Sequence, residues 1–200
     1  MQDEIEAKFI QCNHDSVRQL LTRIGAECHS PMRLMTRAIL DYPDGRLAKI
    51  HAYIRVRDEG DKISVTYKQD AEKTFGSAKE IETTVGSLDT MVQMFEALGL
   101  VVQSRQESKR ETWKIDDVEV VLDEWPWLDP YIEIEGPTKE HVMDVAKKLG
   151  FTWSDAVFGS VTAVYKLQYP DIEREGKIST IENVAFNLPA PDWFHVKGQE

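Results

Sequence analysis

The sequence predicts an α+β protein whose antiparallel β-sheet closes into a barrel with a charged interior and helices packed outside. Three observations carry that prediction. Several short segments alternate charged or polar residues with apolar ones at a period of two, as strands with two unlike faces do. The charges on those faces are sorted by sign from strand to strand. Three further segments place apolar residues at helical spacing and stop at a glycine, as helices laid on a sheet do.

Taken in order, residues 2–10 read as a strand, with Glu4, Glu6 and Lys8 on one face and Ile5, Ala7 and Phe9 on the other. Asp15 or Ser16 is placed to cap a helix through Val17, Leu20, Leu21 and Ile24, which Gly25 ends. Residues 33–41 form a strand, and YPDG at 42–45 is a turn. Segments 48–58 and 62–70 make a hairpin across Asp58-Glu59-Gly60-Asp61. In it, Arg55 and Arg57 oppose Ile54 and Val56, while Ser64, Thr66 and Lys68 oppose Ile63, Val65 and Tyr67. A strand at 79–85 sets Glu80 and Glu82 opposite Ile81. A helix from Leu88 to Leu98 gathers Met91, Met94, Phe95 and Leu98 on one face, with Gly99 behind it. Strands at 101–114 and 117–124 join through Asp116-Asp117, and in the second Glu119, Val121 and Asp123 oppose Val118, Val120 and Leu122. After WPWLDP at 125–130, a strand at 131–135 sets Glu133 and Glu135 opposite Tyr131, with Ile132 and Ile134 together. A third helix runs from Lys139 to Leu149 and ends at Gly150. Past Pro170 the periodicity fades, which divides the chain into a main domain at 1–170 and a tail at 171–200 packed on it.

Composition excludes several classes. A hydrophobic content of 42% supports a sizeable core, yet no apolar run approaches the ~20 residues that span a bilayer. The opening MQDEIEAKF has acids where a secretory signal has basic and then apolar residues. Cys12 and Cys28 lack metal-like spacing and read as free thiols of a reducing compartment, so a cytoplasmic location is expected. Twenty-four Lys and Arg against 35 Asp and Glu give a net charge of -11, and no exposed basic run offsets it. Such a surface repels nucleic acid and anionic membranes, so neither is expected as a partner. His14, His29, His51, His141 and His195 form no metal-like cluster.

The sorted charges set the chemistry. A face turned to water normally mixes lysine, glutamate and hydroxyls, but here 80/82, 119/123 and 133/135 are acidic while 55/57 is basic. Like charges on one face repel, so something of both signs belongs between these strands. A hard divalent cation facing carboxylates and a polyanion facing arginines satisfies both sets. The arginine fork suits phosphate oxygens because it gives paired, charge-assisted hydrogen bonds.

These residues resemble a known family. Glu4-Ile5-Glu6-Ala7-Lys8 is an ExExK strand, followed in order by YIRVRDEGDKISVTYK, EIETTV, KRETW and VEVVLDEWPWLDPYIEIEG. That ordered set, over about residues 2–150, is similar to the CYTH superfamily, or triphosphate tunnel metalloenzymes. The resemblance implies an eight-stranded antiparallel tunnel that binds a triphosphate-containing small molecule with Mg2+ or Mn2+. It also allows a homodimer. Known members include inorganic, thiamine and RNA triphosphatases and class IV adenylate cyclases.

Carried over by position, the resemblance makes Glu4, Glu6, Glu133 and Glu135 the metal cradle, with Asp123 as a further ligand or supporting group. Lys8 takes the place of the lysine that contacts phosphate or orients the nucleophile, and is the catalytic candidate. Arg55, Arg57, Lys68 and Arg110 take the places of the phosphate-holding bases, and Glu82, with Glu80 behind it, supports them. Two departures stand out. Ser108 replaces a lysine often found two residues before the Arg110 position, leaving Lys109 on the opposite pleat unless a bulge turns it. The second strand, MTRAILDY, lacks a common tyrosine, and Arg37 offers a different contact there. Hydrolysis of inorganic tripolyphosphate or a small organic triphosphate is the favoured reaction, because no adenine-reading motif is visible. Cyclisation of ATP to cyclic AMP and pyrophosphate is the alternative, and a non-catalytic polyphosphate-binding module a second one. Trp125 and Trp127 are either packing residues or platforms for a base or thiazolium ring.

Overall fold

A computed structural model of the chain describes residues 5–70, 78–170, 172 and 178–194. Glu4 and His195 lie outside the described residues. The elements are β1 (Ile5–Phe9), α1 (His14–Arg23), β2 (Glu27–Asp41), β3 (Ala52–Asp58), β4 (Ile63–Asp70), β5 (Ala78–Val85), α2 (Leu88–Ala97), β6 (Val101–Ile115), β7 (Val118–Glu124), β8 (Tyr131–Gly136), α3 (Lys139–Lys148), α4 (Val161–Gln168) and a two-residue β9 (Asn183–Val184). Eight antiparallel strands run in the order β1-β8-β7-β6-β2-β3-β4-β5 and curl into a half-barrel, and β9 adds in parallel to β6. Among the described residues, no ladder joins the edge strands β1 and β5, so the hydrogen-bonded sheet is a half-barrel rather than the closed barrel expected from the sequence.

Two local rules explain most boundaries. Each of the first three helices opens at a side chain that accepts an otherwise unpaired N–H: Asn13 from Ser16, Ser87 from Thr90 and Thr138 from His141. The first helix is therefore capped by Asn13, not by Asp15 or Ser16. Tight connections fall where the chain tolerates positive φ, including Gly60 (φ 89°) in the β3–β4 turn and Asp116 (φ 52°) between β6 and β7.

Alternation then decides which face is buried. Ala7, Phe9, Val118, Val120, Leu122, Ile132 and Ile134 pack beneath α1 and α3 with Val17, Leu21, Val142, Val145 and Leu149. Ala38, Leu40, Val56 and Ile54 pack beneath α2 with Val92, Met91 and Phe95. Leu122 and Ile134 are fully buried there, at ~1.5–3 kcal/mol of transfer free energy each. The opposite, concave face holds the charges. A third apolar cluster joins Trp125 and Tyr131 at the β7–β8 hairpin to Val164 and Tyr165 of α4, to Tyr169 just past its end, and to Ile172 and Ile178.

Tyr131 departs from the sequence reading. It has the same parity as Glu133 and Glu135 and stands on their side of β8, where the charges of Asp123 and Glu133 help hold its hydroxyl protonated after burial has raised it well above the usual range. Ile132 and Ile134 take the outer side. Both thiols are free, Cys12 partly buried and Cys28 exposed. No helix among the described residues is long and apolar enough to cross a membrane.

Candidate active site

The concave face gathers basic side chains from five strands. Arg37 comes from β2, Arg55 and Arg57 from β3, Lys68 from β4, Arg110 from β6 and Lys8 from β1. The register explains the grouping: Arg37 lies opposite Arg57 across β2–β3, and Thr66 lies between Arg55 and Glu82 across β3–β4–β5. Four guanidinium groups therefore share one buried space. Burial, then the charges of Arg57, Arg55 and Arg110, push Arg37 down to about 9. Burial and the charges of Arg55 and Arg110 likewise lower Arg57. The Nε atoms of Arg37 and Arg55 are buried without a hydrogen-bond partner. Buried donors in that state are expensive, and an anion with several acceptor oxygens satisfies them.

Acids tether these cations one by one. Asp123, fully buried, accepts from Arg110 Nε and Nη2 at 2.7 and 2.6 Å. Burial works against the Arg110 charge, but Asp123 and Glu133 outweigh it and hold Arg110 well above its usual value. Glu59 accepts from Arg57 Nε and Nη2 at 3.0 and 2.7 Å, and from Ser64 at 3.1 Å. Glu80 lies 3.7 Å from Arg55 and 3.5 Å from Lys68. Burial alone would lower Lys68, but the charges of Tyr53, Glu6 and Glu80 push it up to about 12. Glu82 acts at one remove, accepting from Thr66 at 2.9 Å while Arg55 donates to that same hydroxyl at 3.3 Å. Glu80 is thus the more direct of the two supporting acids.

The acidic side of the face centres on β1 and β8. Lys8 Nζ sits 2.7 Å from Glu6 and 3.3 Å from Glu133, with 3% of its side chain exposed. Burial disfavours its charge, yet those two carboxylates outweigh the burial and raise it above its usual value. Burial and the neighbouring Glu133 push Glu6 up to about 7, whereas Lys8 and Arg110 overcome the burial of Glu133 and hold it far below the usual carboxylate range. Glu135 lies opposite Glu6 on one side and Glu119 on the other, placing all three in one row. Glu119 is half exposed and 3.8 Å from Lys114. These donors suit a hard divalent cation: they are carboxylate oxygens, and two buried carboxyls facing each other repel until a cation or proton separates them. Among the described residues, no three acids, histidines or cysteines gather closely enough to hold a metal alone. Glu4, which alternates with Glu6, lies outside them.

Three residues with evident work in this face have no place among the site residues expected from the sequence. Glu59 was read only as part of a turn, although its parity with Arg55 and Arg57 was a usable signal. Ser108 was noted as a departure, and it accepts a hydrogen bond from Arg37 Nη2, so the two departures meet in space. Trp125 lies under the Arg37 guanidinium at 4.4 Å from ring centroid to Cζ. Lys109, by contrast, stays on the outer pleat, 3.1 Å from Glu124 and over the Phe186 ring.

The CYTH domain model matches residues 2–155. A "putative adenylate cyclase" of Methanocaldococcus jannaschii is 31% identical over 83 residues, 41% of this chain and 47% of that protein, so the match spans about half of that relative. The X-ray structure of a "putative adenylate cyclase" from Vibrio parahaemolyticus superposes with a TM-score of 0.71 at 18% identity, covering 82% of this chain and 97% of that one. A "putative adenylyl cyclase" from Hippeastrum, described as having a dominant triphosphatase activity, gives a TM-score of 0.53 at 16% identity, covering 76% and 89%. The two solved structures share the curled sheet. With the family match running through every strand from β1 to β8, the chain belongs to the CYTH domain family.

Proposed function

We propose that this protein hydrolyses a terminal phosphoanhydride of inorganic tripolyphosphate or a small organic triphosphate laid along the concave face. The observation that carries the reading is the convergence of Arg37, Arg55, Arg57 and Arg110, with buried Nε atoms left unsatisfied on two of them. Folding such like charges together is costly in an empty protein and favourable around a chain of phosphates.

In this reading the arginines and Lys68 bind the phosphate oxygens, and the acids behind them fix their directions: Asp123 for Arg110, Glu59 for Arg57, Glu80 for Arg55 and Lys68. Lys8, kept protonated by Glu6 and Glu133, supplies a stationary positive charge beside the reacting phosphorus. Mg2+ or Mn2+ held by Glu6, Glu133 and Glu135, with Glu4, would neutralise phosphate charge and lower the pKa of the attacking water. Catalysis is then mainly positioning and charge stabilisation, as phosphoryl transfer requires.

A class IV adenylate cyclase is the second reading, favoured by the names of the archaeal and Vibrio relatives. It needs a seat for adenine. Trp125 is 6% exposed beneath Arg37, and Trp127 donates to the Leu188 carbonyl at 2.8 Å while packing on Phe194. Both tryptophans are engaged within the protein, which supports hydrolysis over cyclisation. A non-catalytic module would bind triphosphate without turnover. Phosphate release from tripolyphosphate, ATP and thiamine triphosphate, with cyclic AMP measured alongside, separates the three. Phosphate release without cyclic AMP is expected, and cyclic AMP as the main product of ATP would overturn the hydrolase reading.

A further inference from the structure

We infer that Trp125 is a positioning residue for Arg37, and that the segment from α4 onward, beyond the family match, sets phosphate affinity by holding Trp125 in place. The inference rests on the phosphate-binding reading of the concave face.

Arg37 is the least neutralised of the clustered arginines. Among the described residues no carboxylate lies within ion-pair distance of it, whereas Arg110 has Asp123, Arg57 has Glu59 and Arg55 has Glu80. Its partners are a neutral hydroxyl, Ser108, and the face of the Trp125 indole. An aromatic face attracts a cation without neutralising it or occupying its hydrogen-bonding edge. Arg37 is thereby held against its three like-charged neighbours with its Nε unclaimed. A carboxylate in place of the indole would compete with phosphate oxygens for that edge. An indole does not.

Trp125 owes its position to residues past the family match. Tyr165 of α4 meets the indole edge-on, with ring centroids 6.5 Å apart, and donates its hydroxyl to the Pro126 carbonyl at 2.7 Å. The next carbonyl, that of Trp127, accepts from Gln168 Nε2 at 3.1 Å and from the Tyr169 hydroxyl. Trp127 itself has φ 66°, a left-handed conformation that a bulky side chain adopts only when held there, and its Nε1 is tied to Leu188. Phe194 packs on Trp127, Tyr165 and Tyr169. The 125–127 corner is thus clamped from one side by α4 and residues 188–194, and its other side is the seat of Arg37.

The test measures tripolyphosphate affinity by titration calorimetry in EDTA, for wild type, Trp125→Leu, Trp125→Phe and Tyr165→Phe. Trp125→Leu should weaken binding by about 10- to 30-fold, the scale of a desolvated cation–π contact. Trp125→Phe should keep most of the affinity because a ring face remains, and Tyr165→Phe should lose several-fold through the freed Pro126 carbonyl. A double-mutant cycle distinguishes positioning from general damage: with Arg37→Ala already present, Trp125→Leu should weaken binding no further. If Trp125→Leu fails to fold, the Trp125→Phe and Tyr165→Phe values and their cycles with Arg37→Ala decide the matter. Wild-type binding that these substitutions leave unchanged, or losses that add fully to that of Arg37→Ala, would overturn this inference alone. Wild type that binds tripolyphosphate neither in EDTA nor with Mg2+ or Mn2+ would overturn it together with the proposed function.

Discussion

Replacing Arg57 with alanine tests whether the basic face exists for a ligand or for the fold. Arg57 makes two hydrogen bonds to Glu59, whose carboxylate is 8% exposed and also accepts from Ser64. Burial would raise Glu59, but Arg57 outweighs it and holds the carboxyl below its usual value, so the pair is a working contact. Two losses are therefore expected. Without Arg57, Glu59 keeps Ser64 and the more distant Lys62 at 3.8 Å, so the stability cost is about 1–3 kcal/mol. For a domain of this size that is a fall of roughly 2–10 °C in melting temperature. If Arg57 also grips phosphate, a charge-assisted contact of about 1.5–3 kcal/mol disappears, and kcat/KM on tripolyphosphate should drop roughly 10- to 150-fold. Arg57→Lys should recover only part, because an ammonium cannot bond the carboxylate and a phosphate with a planar fork. Glu59→Gln supplies the control: it removes the tether but keeps the guanidinium, and should cost less activity than Arg57→Ala. The assays are phosphate release and thermal melting on the same preparations. A lowered melting temperature with unchanged kcat/KM of the folded fraction would mean that Arg57 serves Glu59 alone, and the phosphate assignment would be wrong.

Glu6→Gln or Glu135→Gln should cut turnover by about 100-fold or more while melting is retained, and excess EDTA should abolish activity; full activity in EDTA would remove the metal from the scheme. Glu111 ties α1 to the sheet by accepting from Arg18 at 3.0 Å and from Trp113 Nε1 at 2.6 Å. Burial alone would raise its pKa, but these bonds lower it, so its contribution to stability is present at neutral pH and lost as pH falls below the ordinary carboxylate range. Glu111→Gln should accordingly cost about 1–2 kcal/mol at pH 7, flatten the acid-side loss of stability and leave kcat/KM unchanged; an identical acid melting profile would contradict the assignment.

What the sequence made legible is the sidedness of the strands. Period-two alternation assigned Lys8, Arg55, Arg57, Lys68, Asp123 and Glu133 to one face and Leu122, Val120 and Ile134 to the other, because a strand has no freedom to present neighbours otherwise. Arg37 and Arg110 join the first group. Less visible were features decided by tertiary contacts. The eight residues of α4 are too few to hold a helix unaided, and their signal lies in the aromatic cluster around Trp125. The second strand was read as 33–41 but begins at Glu27, because two register irregularities near Ser30 carry it past Pro31 along β6. The sequence reading sets Tyr131 opposite Glu133, although period-two alternation gives the two the same parity. The tyrosine is buried by the aromatic cluster on the charged side.

The pairing of β2 with β6 carries a consequence for how the molecule comes into being. On one side of that seam, β2 to β5 form a run of hairpins; on the other, β6 to β8 form a second run, with β1 added at its edge. Within each run the hairpin contacts join near neighbours, but β1 reaches β8 from the far end of the chain, and Arg37 and Ser108, which meet across the seam, are 71 residues apart. Zipping the seam closes that long loop and in the same step drives Arg110 against Arg37, Arg55 and Arg57. The entropic and electrostatic penalties of this seam thus fall together, and an anion bound between the two halves favours the assembled state over either half alone.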